Sequence, residues 1–80
     1  MTTVTVLYFA SLRDAAGVDS EVLQTDAADL QALYLELQAR HGLAMPLSRL
    51  RVAVDGAFAS WQSPVHDGAE IAFIPPVSGG

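Results

Sequence analysis

No cysteine occurs anywhere in these 80 residues. That excludes disulfide staples, zinc–thiolate centres and a cysteine nucleophile, so the fold must stand on its apolar core. It also suits a reducing compartment, and a cytoplasmic chain is expected. Basic residues are scarce: four Lys and Arg against nine Asp and Glu give a net charge of −5. Nucleic acid is a poor partner for such a chain, because phosphate binding needs clustered cations. A basic protein surface is a better match. No apolar run approaches the roughly 20 residues of a membrane span, so no membrane partner is expected. Met1-Thr2-Thr3 lacks the basic start of a signal peptide.

What is present is a 51% hydrophobic composition with modest charge, which favours an ordered globule. The length allows one domain, spanning 1–80. About 60% of the unfolded surface can be buried at this size, which leaves one thin core and little room for a deep pocket. A carrier or binding module is favoured over a self-contained enzyme.

Thr3 to Ala10 reads as a strand with Val4, Val6 and Tyr8 on one face and Thr5, Leu7 and Phe9 on the other. Both faces are largely apolar, which predicts a central strand or one whose outer face meets a partner. Ser11 to Gly17 reads as a connection, and Glu21 to Thr25 as a second strand forming a hairpin with the first. Asp29 is placed to cap a helix. Leu30, Leu33, Tyr34 and Leu37 then fall at i, i+3, i+4 and i+7, one apolar stripe. Arg40 and His41 suit the last turn, and Gly42 the stop. A loop through Pro46 leads to a strand over Arg51 to Asp55, with Val52 and Val54 inward. Asp55-Gly56 is a turn signal, Ala57 to Ser60 a short strand, Asp67-Gly68 another turn. Ala69 to Ile74 closes the series, with Ile71 and Phe73 opposite Ala72 and Ile74. The economical arrangement is α+β: a mixed sheet of four to five strands packed on one main helix. This is the β-grasp, or ubiquitin-like, order. In that fold class the first and last strands lie side by side and parallel.

Pro75, Pro76, Val77, Ser78, Gly79 and Gly80 follow. The prolines cannot donate ladder hydrogen bonds, so they end the strand and hold the chain extended. Residues 75–80 are expected to form a flexible tail reaching at most about 20 Å from the sheet. Gly79-Gly80 carries no side chain, so it fits a channel too narrow for other residues. A Gly-Gly ending is also what an ordinary frayed terminus looks like. The stiff prolines ahead of it favour the other reading: a slender, reachable carboxylate that is activated by adenylation and then converted by a sulfur nucleophile to a thiocarboxylate. A chain without cysteine would not attack its own activated end.

The segment Asp67-Gly68-Ala69-Glu70-Ile71-Ala72-Phe73-Ile74-Pro75-Pro76-Val77-Ser78-Gly79-Gly80 resembles the end of the molybdopterin synthase small subunit, the MoaD family of sulfur carriers. Val6-Leu7-Tyr8-Phe9-Ala10, Leu12-Arg13-Asp14 and Gly17 resemble that family's first strand and following loop. The resemblance covers nearly the whole chain. It implies a β-grasp domain whose Gly80 is adenylated by an activating enzyme that consumes ATP. It also implies a thiocarboxylate that donates sulfur to a cyclic pyranopterin precursor in molybdenum cofactor biosynthesis. No cofactor is held permanently. The implied partners are the activating enzyme and the synthase large subunit, which holds the pterin pocket, in a heterotetramer. Carried over by position, the implied docking patch is Phe9, Phe58 and Ile74, with Pro75, Pro76, Val77 and Ser78 forming the stem. Ile74 stands where an aromatic is common in the family. The same end chemistry also serves carriers for thiamine or cysteine synthesis, and ubiquitin-like modifiers that form isopeptide bonds.

The remaining candidates are weaker. His41 and His66 sit in different elements, and no metal site is expected from them. Trp61 reads as packing against the helix rather than as an interface residue. Asp14, Asp19, Glu21, Asp26 and Asp29 are either a face for a basic partner or ordinary solvated surface. Arg13 and Asp14 are read as a local ion pair.

Overall fold

The computed structural model describes residues 1–76. Strand β1 spans Thr2–Tyr8, helix α1 Ala10–Ala16, β2 Ser20–Thr25, α2 Leu30–His41, β3 Arg51–Val54, β4 Ala57–Ala59 and β5 Glu70–Ile74, with a 3-10 turn at Leu47–Arg49. The five strands form one mixed sheet in the order β2-β1-β5-β3-β4. β1 and β5 are parallel, with Val6 beside Ile71 and Tyr8 beside Phe73, and all other pairs are antiparallel. This is the expected β-grasp arrangement, with the first and last strands adjacent in the interior of the sheet.

Alternation along the strands decides which face is covered. Val4, Val6, Tyr8, Val52, Ile71 and Phe73 are buried against Leu30, Leu33, Tyr34 and Leu37 of α2. Each fully buried side chain of this size contributes roughly 1.5–3 kcal/mol. The helical stripe read from the sequence is therefore the stripe that packs. Asp29 caps α2 by accepting from the Ala32 amide at 2.8 Å. The helix ends at Gly42, whose φ of 67° is the left-handed stop.

The segment between β4 and β5 has little regular structure, yet it is tied down. Helix starts leave unpaired amides, and this segment satisfies two of them: Leu30 N donates to Ser63 O at 3.1 Å and Gln31 N to Trp61 O at 3.0 Å. Trp61 stacks on Phe73 with ring centroids 6.0 Å apart and planes 7° apart, and also meets Tyr34. The packing reading of Trp61 is correct.

Two expectations change. Residues 10–16 form a helix rather than an irregular connection; alanine favours helix, and the buried Leu12 anchors it to the core. Arg13 pairs with Asp19 at 3.7 Å across the end of that helix, not with its neighbour Asp14.

Candidate docking face and tail

The core uses one face of the sheet, and no described element covers the other. On the open face, Leu7, Phe9, Ala53, Phe58, Ala72 and Ile74 line one apolar groove, with Gly56 and Glu70 at its far end. The register explains the grouping. Leu7 pairs with Ala72, Ala72 with Ala53, and Ala53 with Phe58, so one row crosses four strands. Small residues at the centre leave a trough, and the larger Phe9, Phe58 and Ile74 form its rim. Phe58 is 70% exposed and Phe9 45%. A contiguous apolar patch on so small a domain marks an interaction surface.

Phe9 is held in place by the backbone. Its φ of −123° and ψ of 149° are extended, and it occupies the N-cap of α1. Its carbonyl accepts from Leu12 N at 3.0 Å. β1 thus turns into α1 at Phe9, and the ring stays on the open face beside Ile74. The structure brings together all three residues carried over by resemblance, Phe9, Phe58 and Ile74. The sequence also indicated Leu7 and Ala72. Ala53 and Glu70 were missed, although Ala53 follows from the inward placing of Val52 and Val54.

Ile74 is the last residue of β5, and Pro75 and Pro76 continue from it, half-buried and exposed respectively. The groove therefore runs up to the root of the tail. Val77, Ser78, Gly79 and Gly80 lie outside the described residues.

Glu21 does not belong to a solvated acidic face. It shares its strand face with Leu23 and Thr25, where its Oε1 accepts from the Tyr8 hydroxyl and lies within bonding distance of His41 Nε2. His41 closes the C-terminal end of α2 onto β2. His66 lies 3.7 Å from Asp55 at the turn end of the sheet, so the two histidines are engaged separately. Burial pushes the Tyr8 hydroxyl pKa up, with Glu21 adding to the shift. Burial raises the pKa of Tyr34 as well; its hydroxyl donates to Met45 O at 2.6 Å and fixes the loop after α2. None of these groups is among the residues that line the groove, whose side chains are apolar apart from Glu70.

Residues 6–80 match the ThiS family. The molybdopterin synthase sulfur carrier subunit of Escherichia coli is 36% identical over 80 residues, covering 96% of this chain and 99% of that one. A putative molybdopterin converting factor subunit 1 from Pyrococcus furiosus superposes with a TM-score of 0.79 at 30% identity, covering 96% of this chain and 100% of that one. A chain from the complex of subunits 1 and 2 of the molybdopterin-converting factor of Helicobacter pylori superposes with a TM-score of 0.68 at 28% identity, covering 99% and 100%.

Proposed function

The chain belongs to the ThiS family and is related over its length to molybdopterin synthase sulfur carrier subunits, and from that premise we propose that it is the sulfur carrier of a molybdopterin synthase. The carboxylate of Gly80 attacks the α-phosphate of ATP on an activating enzyme, and pyrophosphate leaves. A sulfur nucleophile then displaces AMP and leaves a thiocarboxylate. The large synthase subunit docks on the apolar groove, receives the tail and supplies the pterin pocket. The thiocarboxylate sulfur bonds to the cyclic precursor, water then cleaves the acyl–sulfur link, sulfur stays on the precursor and Gly80 returns as a carboxylate. The reaction runs in the cytoplasm, in an assembly with a carrier at each end of a central large-subunit pair.

The observation that carries this reading is the continuity of the groove with β5 and its prolines. A partner seated on Phe9, Phe58 and Ile74 necessarily sits at the root of the tail. Composition supports it too. The four basic residues are all arginine, so the chain has neither a lysine amine nor a cysteine thiol to attack its own activated end. The related H. pylori protein forms a complex with its subunit 2, which supports a large-subunit partner here. The chain acts as the sulfur-donating part of an enzyme whose pocket lies elsewhere.

Intact-mass spectrometry tests the chemistry after incubation with ATP, the activating enzyme and a sulfur source. The expected product has one oxygen replaced by sulfur at Gly80. Adding the large subunit and precursor should return the original mass and yield a dithiolene pterin. Transfer only to a thiazole or cysteine precursor, or conjugation to lysines, would move the chain to another branch of the same chemistry.

A further inference from the structure

Two charges of opposite sign flank the apolar groove at its two ends; the Arg13 and Asp19 charges beside Leu7 and Phe9 are already paired with each other. Arg51 pairs in register with Ile74, at the root of the tail. Its guanidinium carbon stands 5.8 Å from the centre of the exposed Phe58 ring, a cation–π contact that holds the charge on the open face. Glu70 is the first residue of β5 and lines the groove at its other end. Four strand residues separate the levels of Ile74 and Glu70, or about 13 Å. That exceeds the screening length of roughly 8 Å at physiological salt, so the two charges do not satisfy each other. Among the described residues neither side chain has an ion-pair partner. The neighbouring Asp55 is already engaged, accepting from the Glu70 amide at 2.9 Å and lying beside His66.

We propose that Arg51 and Glu70 are polarity-setting residues of the docking face: they fix the direction in which the carrier lies on its partner, and so aim the tail at the receiving pocket. The partner is a surface with an apolar centre, a carboxylate beside the mouth that receives the tail, and a cation at the far end of the groove. The large synthase subunit is that occupant, so the inference rests on the function proposed above. An apolar groove gives adhesion but little direction, whereas opposite charges in the wrong orientation meet like charges. The net charge of −5 disfavours a second copy of the chain as the occupant.

The test is the double exchange Arg51→Glu with Glu70→Lys. It leaves the net charge and every apolar residue unchanged and inverts only the polarity. Binding to the large subunit of the same organism is followed by stopped flow and calorimetry at low and high salt, with thermal unfolding as the check on folding. The expected result is about a tenfold or greater loss of association rate and affinity at low salt, shrinking at high salt. Arg51→Gln and Glu70→Gln should each give part of that loss, and they carry the test if the exchange fails to fold. Unchanged binding by the exchange, with binding weakened by Phe58→Ala, overturns the polarity role and leaves the docking face standing. Unchanged binding by both overturns the docking face as well. Dimerisation of the chain alone in sedimentation, lost on Phe58→Ala, would give the face to a second copy and overturn the proposal.

Discussion

The Tyr8 hydroxyl donates to Glu21 Oε1 at 2.5 Å, and His41 Nε2 lies 2.8 Å from the same oxygen. One carboxylate thereby joins β1, β2 and the end of α2, with the His41 ring edge-on to Tyr8 at 5.7 Å. Burial acts to raise the Glu21 pKa, but the hydrogen bonds from Tyr8 and His41 and the charges of His41 and Arg40 outweigh it, and the net shift is downward from 4.5. A carboxyl depressed by folding stabilises the native state above its unfolded pKa and loses that contribution as pH falls through its folded one. Glu21→Gln should therefore cost about 1–2 kcal/mol at neutral pH, and the gap from the parent should close below about pH 4.5. Urea unfolding midpoints across pH measure this; a gap that stays constant into acid would refute it.

Trp61 makes a second stability prediction. Its ring covers Phe73, and its carbonyl receives the Gln31 amide, so it joins the irregular segment to both sheet and helix. Trp61→Ala removes a large, partly buried ring and should cost about 2–4 kcal/mol. For a domain this small that lowers Tm by roughly 8 °C or more. Phe58→Ala is the comparison, because the exposed ring packs on no core; its effect should stay within about 0.5 kcal/mol. Equal melting shifts for the two would show that Trp61 does not pin the segment.

The fold was legible wherever a periodic apolar pattern met a matching end signal. Leu30, Leu33, Tyr34 and Leu37 between Asp29 and Gly42 are such a case, and so is Ile71 with Phe73 after Asp67-Gly68. Helix α1 was not legible: its seven residues carry a single buried anchor, Leu12, and one anchor has no period. The groove was half legible. Alternation in β1 and β5 leaves Leu7, Phe9, Ala72 and Ile74 over once the core is filled, whereas Phe58 joins them in the sequence only through the family resemblance, and its physical reason is the strand register that pairs it with Ala53. The Tyr8–Glu21–His41 contact spans three elements, and only the position of Glu21 on the Leu23 face hinted at it. The partners of Arg13 and Glu21 depend on side-chain reach across elements, which composition does not encode.

Phe9→Asp separates docking from folding. Phe9 sits at the N-cap of α1 without a side-chain cap of its own, and aspartate is a favoured residue there. The substitution should leave the melting temperature unchanged or slightly raised. On the open face it buries an unpaired carboxylate in an apolar contact. We expect a loss of about 3 kcal/mol, roughly a hundredfold in Kd, for the large subunit. Calorimetry against the large subunit reads this directly, and undiminished affinity would remove Phe9 from the docking surface.

The tail carries the last prediction. The core that holds the domain together is complete by Phe73, so removing Gly80 should not change the unfolding midpoint. It should abolish thiocarboxylate formation and sulfur transfer, because Ser78-Gly79 then ends one residue short of the activating site. Adding one residue after Gly80 should do the same by displacing the carboxylate. Gly79→Ala makes a finer distinction. It keeps the reacting carboxylate and the tail length but adds a methyl group, so a narrow receiving channel predicts slower sulfur transfer with normal binding of the domain. Single-turnover kinetics with the preformed thiocarboxylate would measure that step apart from activation. Full transfer by the Gly80 deletion would end the carrier reading. Full transfer by Gly79→Ala would instead leave the carrier intact and show that the channel has room for a side chain.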